Sequence, residues 1–231
     1  MTLAYPDVCK AIVADRGVYA PQDDSHLMVD VLERTGLAAG RRVLDLCTGS
    51  GVLAVAAATF GAASVTAFDI CSRAVQCAQS NAQRQGVGVD VRLGSLEEAL
   101  CLEPFDLVIS NPPYVPVTPH SAVEEIPAEV GPTRAWDAGD DGRMVLDPLC
   151  KAAGDLLAPG GTVLIVHSEF SDTDATLEAL TASGLKTSLA ATRFVPFGPV
   201  MEARAEWLES QGRLEPGRRE EELVVVRGDK R

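Results

Sequence analysis

The stretch Phe105-Asp106-Leu107-Val108-Ile109-Ser110-Asn111-Pro112-Pro113-Tyr114 sets the reading of the chain. Leu107, Val108 and Ile109 form a short apolar run with two β-branched residues, the pattern of a buried strand. Pro112 and Pro113 have no backbone N–H to donate, so a central ladder stops before them. Asn111 is thereby held at the carboxyl end of a strand, where open α/β sheets bind their ligands. Its carboxamide offers one acceptor oxygen and two donor hydrogens. Tyr114 follows with a flat ring and a hydroxyl. The group suits an amide or an amino-purine edge: Asn111 accepts from the NH2 while an aromatic face holds the planar group. Alone, N-P-P-Y reads equally well as a strand ending in a polar turn. The glycine-bearing segment upstream decides between the two.

That segment, Val43-Leu44-Asp45-Leu46-Cys47-Thr48-Gly49-Ser50-Gly51, reads as a strand, a tight turn and a helix start. Gly49 and Gly51 lack Cβ atoms, so a ligand can approach the backbone closely. The helix N-terminus that follows favours an electron-rich or carboxylate group. Asp69 lies 18 residues beyond Gly51, at the end of the next strand. A carboxylate there accepts from both ribose hydroxyls of a nucleoside. The third glycine of a dinucleotide fingerprint is replaced, with Ala54 where close helix packing is needed. Asp45 at the strand end repels a pyrophosphate and favours an ammonium, or a water held by one. S-adenosyl-L-methionine carries that ammonium and has no phosphate.

Outward from these two segments, strands and helices alternate. This pattern predicts a single α/β domain over residues 1–231, with a mostly parallel sheet and helices on both faces. Strands are expected at 42–46, 64–68, 87–93, 105–110, 162–166, 185–194 and 222–227. Helices are expected at 23–36, 50–60, 72–85, 96–100, 142–157, 172–183 and 202–210. The first helix can be capped by Asp23, Asp24 or Ser25 and ends at Gly36, and that at 72–85 is capped by Ser72. Residues 115–141 carry Pro116, Pro119, Pro127 and Pro132 with no sustained period. So long an irregular stretch beside the candidate site predicts a substrate-facing lid.

The bulk numbers bound the function. The chain has 231 residues, a size that fits one large domain, and 46% of them are hydrophobic, enough for a filled core. A net charge of −13 argues against a nucleic acid as main partner, because phosphate binding is driven by Lys and Arg. No run of about 20 apolar residues is present, and Met1 to Lys10 does not read as a signal peptide, so a cytoplasmic protein without membrane contact is expected. Cys9, Cys47, Cys71, Cys77, Cys101 and Cys150 follow no metal-ligand spacing, and no metal is expected.

Asp45-x-x-x-Gly49-x-Gly51, Asp69 and Asn111-Pro112-Pro113-Tyr114 resemble the motifs of class I S-adenosylmethionine-dependent methyltransferases. More narrowly they resemble the HemK/PrmC family, which methylates the Gly-Gly-Gln glutamine of peptide-chain release factors at N5. Val18-Tyr19-x-Pro21-x-Asp23-Asp24-Ser25 resembles the start of the short branch that has no separate amino-terminal helical domain. Ala135-Trp136-Asp137-Ala138-Gly139-Asp140-Asp141-Gly142-Arg143 resembles the family's segment between its fourth and fifth strands. The resemblance covers roughly residues 17–170. It implies a Rossmann-like, seven-stranded sheet with an antiparallel C-terminal strand. It also implies that residues 17–36 cover the cofactor.

By the same resemblance, Asp45, Gly49 and Gly51, with Cys47 in their turn, hold the methionine end of S-adenosyl-L-methionine. Asp69 binds the ribose, with Ile70 beside it. Asp24 and Ser25 reach toward the cofactor's carboxylate. Asn111 and the Pro112 carbonyl fix the substrate amide, and Tyr114 packs against it. Two positions depart from the family's pattern: Cys47 stands where glycine is usual, and Ser95 where an acid often meets the adenine amino group. The implied acceptor is a protein glutamine, as in a release factor, with a small partner subunit or a homodimer left open. A small-molecule N- or O-methyltransferase, an adenine-N6 methyltransferase and a cofactor-binding interaction subunit are the competing readings. Trp136 reads as a lid anchor or as cover for apolar surface, His167 as a polar strand end, and Glu124-Glu125 and Glu220-Glu221-Glu222 as solvated charge.

Overall fold

A computed structural model describes residues 7–117 and 132–231. The strands are β1 (Arg42–Leu46), β2 (Ser64–Asp69), β3 (Asp90–Leu93), β4 (Phe105–Ser110), β5 (Leu157–Ser168), β6 (Lys186–Pro196) and β7 (Glu220–Asp229). They form one sheet in the order β3-β2-β1-β4-β5-β7-β6. β1 to β5 run parallel, and β7 lies antiparallel between β5 and β6. This is the Rossmann-like arrangement of class I methyltransferases, as the sequence predicts.

The helices are α1 (Val8–Ala11), α2 (Asp23–Thr35), α3 (Val52–Thr59), α4 (Ser72–Gln85), α5 (Leu96–Leu100), α6 (Leu146–Leu156), α7 (Thr173–Ala182) and α8 (Pro199–Ser210). The central strands are apolar on both faces because both faces are covered. Val43, Leu107, Ile109, Leu164 and Val225 pack with α2 and α3 on one side. Leu44, Val108, Val163, Ile165 and Val224 pack with α6 and α7 on the other. A third cluster joins Val115 and Trp136 to Val200, Met201, Ala205 and Leu208 of α8. Among the described residues no helix is long and apolar enough to cross a membrane.

Several boundaries differ from expectation. β5 begins at Leu157, ahead of Pro159-Gly160-Gly161, because Leu157 already pairs with Phe105; the ladder then shifts register before Leu107 meets Thr162. α6 begins at Leu146 rather than 142, since Arg143 serves a turn. α8 begins at Pro199 rather than 202, as a proline at the first helical positions allows. Neither α2 nor α4 is capped by the expected side chains. Gln22 and Cys71 occupy the N-cap positions without side-chain caps, which frees Asp24 and Ser25 for other partners.

The strand order reverses between β1 and β4, so a crevice opens at their carboxyl ends. The turn after β1 and the Asn111-Pro112-Pro113-Tyr114 segment face each other across it. The ends of the 115–141 stretch are pinned nearby. Val115 N–H donates to the Trp136 carbonyl at 2.8 Å, and Ala138 N–H to the Val115 carbonyl at 3.0 Å. The middle of that stretch, with Pro119, His120, Glu124-Glu125 and Pro127, lies outside the described residues.

Candidate active site

The turn after β1 is built on Asp45. Its side chain is fully buried, and Oδ2 accepts from the Thr48 hydroxyl at 2.6 Å and from Ala54 N–H at 3.1 Å. The carboxylate therefore ties the strand end to the first turn of α3. It does not line the crevice cavity, and Oδ1 has no partner among the described residues. Burial pushes its pKa up to about 7, against the pull of the Thr48 and Ala54 hydrogen bonds. The folded protein thus holds a proton that the unfolded chain releases near pH 4. Stability from this group is greatest at the acid end and is lost as pH rises toward 7. Asp45→Asn keeps an acceptor for both donors and carries no charge. Its stability relative to wild type should rise steadily between about pH 4 and pH 8. Urea titrations at several pH values check this; a constant difference would refute it.

Two glycines act through packing. Gly51 has φ 84, and a Cβ there would lie 2.8 Å from the Ala78 Cβ, so this glycine admits α4 against α3. The expectation of ligand approach at Gly51 is corrected: it does not line the cavity, and it does the packing that Ala54 was assigned. Gly142 has φ 79, and a Cβ there would fall 2.3 Å from the Tyr114 carbonyl oxygen. That oxygen also accepts from the Ser171 hydroxyl at 2.5 Å, so the segment after Trp136 clamps the backbone of Tyr114. Cys47 has φ 61, a left-handed conformation that favours the glycine usual there.

A cavity of about 290 Å³ occupies the crevice. Cys47, Gly49, Asp69, Ile70, Ser95, Asn111 and Ser25 line it, with Phe68, Leu96 and Pro148 among its apolar walls. Asp69 Oδ2 accepts from Gly49 N–H at 2.9 Å and Oδ1 from Cys71 N–H at 2.8 Å. Each oxygen keeps a lone pair for a further donor. Burial raises the pKa of Asp69, and the two backbone N–H groups oppose that rise. Ser95 caps α5, donating to Glu98 Oε2 at 2.6 Å, and pairs with Glu97 as well. Its hydroxyl is thus engaged, and the acid at this wall is Glu97, two residues on. Ile70 is 72% exposed, an apolar face turned outward beside Asp69.

Asn111 joins this cavity to a second one of about 80 Å³. Asn111 Nδ2 donates to the Ser25 hydroxyl at 3.4 Å, which in turn donates to Asp24 Oδ1 at 3.1 Å. The amide oxygen of Asn111 is thereby the group left to accept. Asp24 Oδ2 accepts from both Tyr19 and Tyr114 hydroxyls, each at 3.1 Å. Burial and the adjacent Asp24 hold both phenols well above their usual pKa, so they stay neutral donors. Asp24, Pro112 and Tyr114 line the second cavity, not the first. Asp24 organises the junction from there.

Sequence reading missed Tyr19 and Glu97, and misread Glu221. The middle acid of Glu220-Glu221-Glu222 is buried at 6% exposure on the second cavity, not solvated. The two-residue period of a strand was the available signal, since it puts Glu221 on the face of Leu223 and Val225. His167 is fully buried and lines neither cavity; burial pushes it down to about 4. The fold also brings ligand atoms of Asp7, Cys9 and His26 within 4.8 Å of one another. Asp7 is paired with Lys10, and burial pushes the Cys9 thiol up to about 12, so this group is a poor metal ligand set.

Sheet order and crevice together define a class I methyltransferase scaffold. Residues 10–126 match the family of the methyltransferase small domain. A release factor glutamine methyltransferase of Geobacter sulfurreducens is 37% identical over 155 residues, covering 66% of this chain and 54% of that protein. A putative protein N5-glutamine methyltransferase of Methanocaldococcus jannaschii is 32% identical over 184 residues, covering 80% of this chain and 89% of that protein. The E. cuniculi Mtq2–Trm112 structure superposes with a TM-score of 0.61 at 22% identity, over 93% of this chain and 99% of that one. The chain belongs to the HemK/PrmC-like family of class I S-adenosylmethionine-dependent methyltransferases. It spans about half the length of many of the release factor enzymes it resembles.

Proposed function

We infer that this protein methylates the side-chain amide of a glutamine in a protein of the release factor kind. The observation that carries the reading is the place of Asn111, on the wall shared by the two cavities, with its amide NH2 engaged by Ser25 and its oxygen free to accept.

The larger cavity fits S-adenosyl-L-methionine. Asp69 keeps one lone pair on each oxygen for ribose hydroxyls. No protein atom lies within 4 Å of where a Cβ on Gly49 would stand. Phe68, Ile70 and Leu96 offer apolar surface to a base, and Glu97 an acceptor for its amino group. The acids Asp69 and Glu97 on these walls disfavour a phosphate-bearing ligand. When bound, the cofactor supplies a methyl group already activated by its sulfonium centre.

The protein's part is positioning. An amide nitrogen is a weak nucleophile because its lone pair is delocalised. Asn111 Oδ1 accepts one amide hydrogen, turns the lone pair toward the cofactor side and stabilises positive charge as it develops on nitrogen. By family resemblance the Pro112 carbonyl serves the second hydrogen. Tyr114, held by Asp24 and by the clamp on its carbonyl, forms the wall beside the amide. A partner subunit is part of this reading: β3 is an open sheet edge with Leu93 60% exposed.

The test is transfer of labelled methyl from S-adenosyl-L-methionine to release factors with and without their Gly-Gly-Gln glutamine, beside nucleic acids and small amines. Label on the glutamine-bearing factor alone is the expected result. Label on a small amine or adenine instead would overturn the reading.

A further inference from the structure

The second cavity carries two buried polar atoms that meet no partner among the described residues: Glu221 Oε2 and the indole Nε1 of Trp136. Glu221 is 6% exposed and Trp136 5%. One atom accepts and the other donates. Unpaired buried polar atoms cost stability, so folds keep few of them. The other polar groups of this chamber are engaged, with the Tyr19 and Tyr114 hydroxyls both donating to Asp24. A chamber that presents one free acceptor and one free donor beside Asn111 matches a small group bringing both an N–H and a carbonyl. A carboxamide is such a group. An amine brings only donors, and an ester only acceptors.

We propose that this chamber is the subsite for the acceptor's carboxamide, with Glu221 accepting its second N–H and Trp136 donating to its carbonyl oxygen. The inference rests on the methyl-transfer reading for where the nitrogen meets Asn111. It moves the second N–H contact from the Pro112 carbonyl to Glu221, and it makes Glu221 and Trp136 the determinants of amide over amine.

Burial raises the Glu221 pKa to about 7, and Asp24 on α2 and Glu169 after β5 push the same way, while a hydrogen bond from Ser168 and the charge of Arg218 oppose them. Tyr19 and Tyr114 face the chamber as neutral phenols. Protonation of Glu221 removes the acceptor, so acceptor binding should weaken as pH falls through about 7.

The chain has two tryptophans, Trp136 and Trp207, so the indole N–H of Trp136 is a direct probe that W136F assigns. Protein labelled with 15N at the indoles is titrated with N-acetylglutamine methylamide, its glutamate counterpart and n-propylamine, in the presence of S-adenosylhomocysteine. The glutamine compound should move the Trp136 signal, and the amine should not. E221Q and W136F keep side-chain size and should raise KM for a Gly-Gly-Gln peptide about tenfold with kcat little changed, the scale of a lost charge-assisted or buried hydrogen bond. E221Q should also lose the wild-type pH dependence of KM near 7.

An indole signal unmoved by the glutamine compound, or moved equally by the amine, overturns the subsite even where a variant fails to fold. An unchanged KM in both folded variants does the same. A shifted signal without methylation of the peptide overturns the glutamine reading and leaves the subsite standing; methylation with an unmoved signal does the reverse.

Discussion

Asn111→Ala should lower turnover by about 10² to 10³, the effect of removing one pre-organised hydrogen-bonding group from a reacting centre. Cofactor affinity should change little. The side chain touches the larger cavity only at its junction with the smaller one, and its own partner is a Ser25 hydroxyl 3.4 Å away. The lost oxygen is the one that orients the acceptor nitrogen and meets the charge developing there. Single-turnover rates, with cofactor Kd from calorimetry, separate the two effects. Proportionate loss of both would mean that Asn111 holds the cofactor rather than the acceptor.

Arg204→Ala should destabilise the fold by about 3 to 5 kcal/mol, the scale for removing one partner of a buried ion pair. Arg204 is 1% exposed on α8. It donates to the Pro116 carbonyl at 2.5 Å and pairs with Asp137, whose backbone forms the short bridge with Val115. The alanine variant strands a carboxylate and a carbonyl beneath the helix. For a chain of this size the loss corresponds to a Tm lower by roughly 6 to 20 °C. Scanning calorimetry reads it directly. A double variant, Arg204→Met with Asp137→Leu, should recover much of the loss, because no charge is then left alone. A drop below about 1 kcal/mol would place the pair among those that stabilise little.

The sheet was legible because its cues are local. Val43 to Leu46 and Leu107 to Ile109 are apolar on both faces, and Pro112 and the glycine turn mark where each strand stops. Asp69 and Asn111 could be placed in the crevice for the same reason: both follow immediately on a strand end. The second cavity was not legible. It is assembled from residues far apart in the chain, with Tyr19 and Asp24 near α2, Trp136 beyond the 115–117 bridge and Glu221 on β7. No spacing rule links them. Glu221 was masked by its charged neighbours, although strand alternation carried the signal. Asp45 misled in another way. Its position beside the turn was right, but its side chain turns under the loop to hold Thr48 and Ala54, a choice that only the packed helix reveals. The cap positions failed similarly: Asp24 and Ser25 are good capping residues, and the fold spends them on Tyr19, Tyr114 and Asn111.

The arrangement around Asn111 divides labour between two chambers that touch at a narrow wall. Everything that suits a nucleoside lies on the β1–β2 side, and everything that reads the recipient lies on the side of β7 and α8. A lineage could therefore exchange one recipient for another by redrawing two or three positions near the end of the chain, while the donor side stayed untouched. Directed libraries aimed at new recipients are best confined to that far chamber, where change leaves the shared first half of the reaction intact.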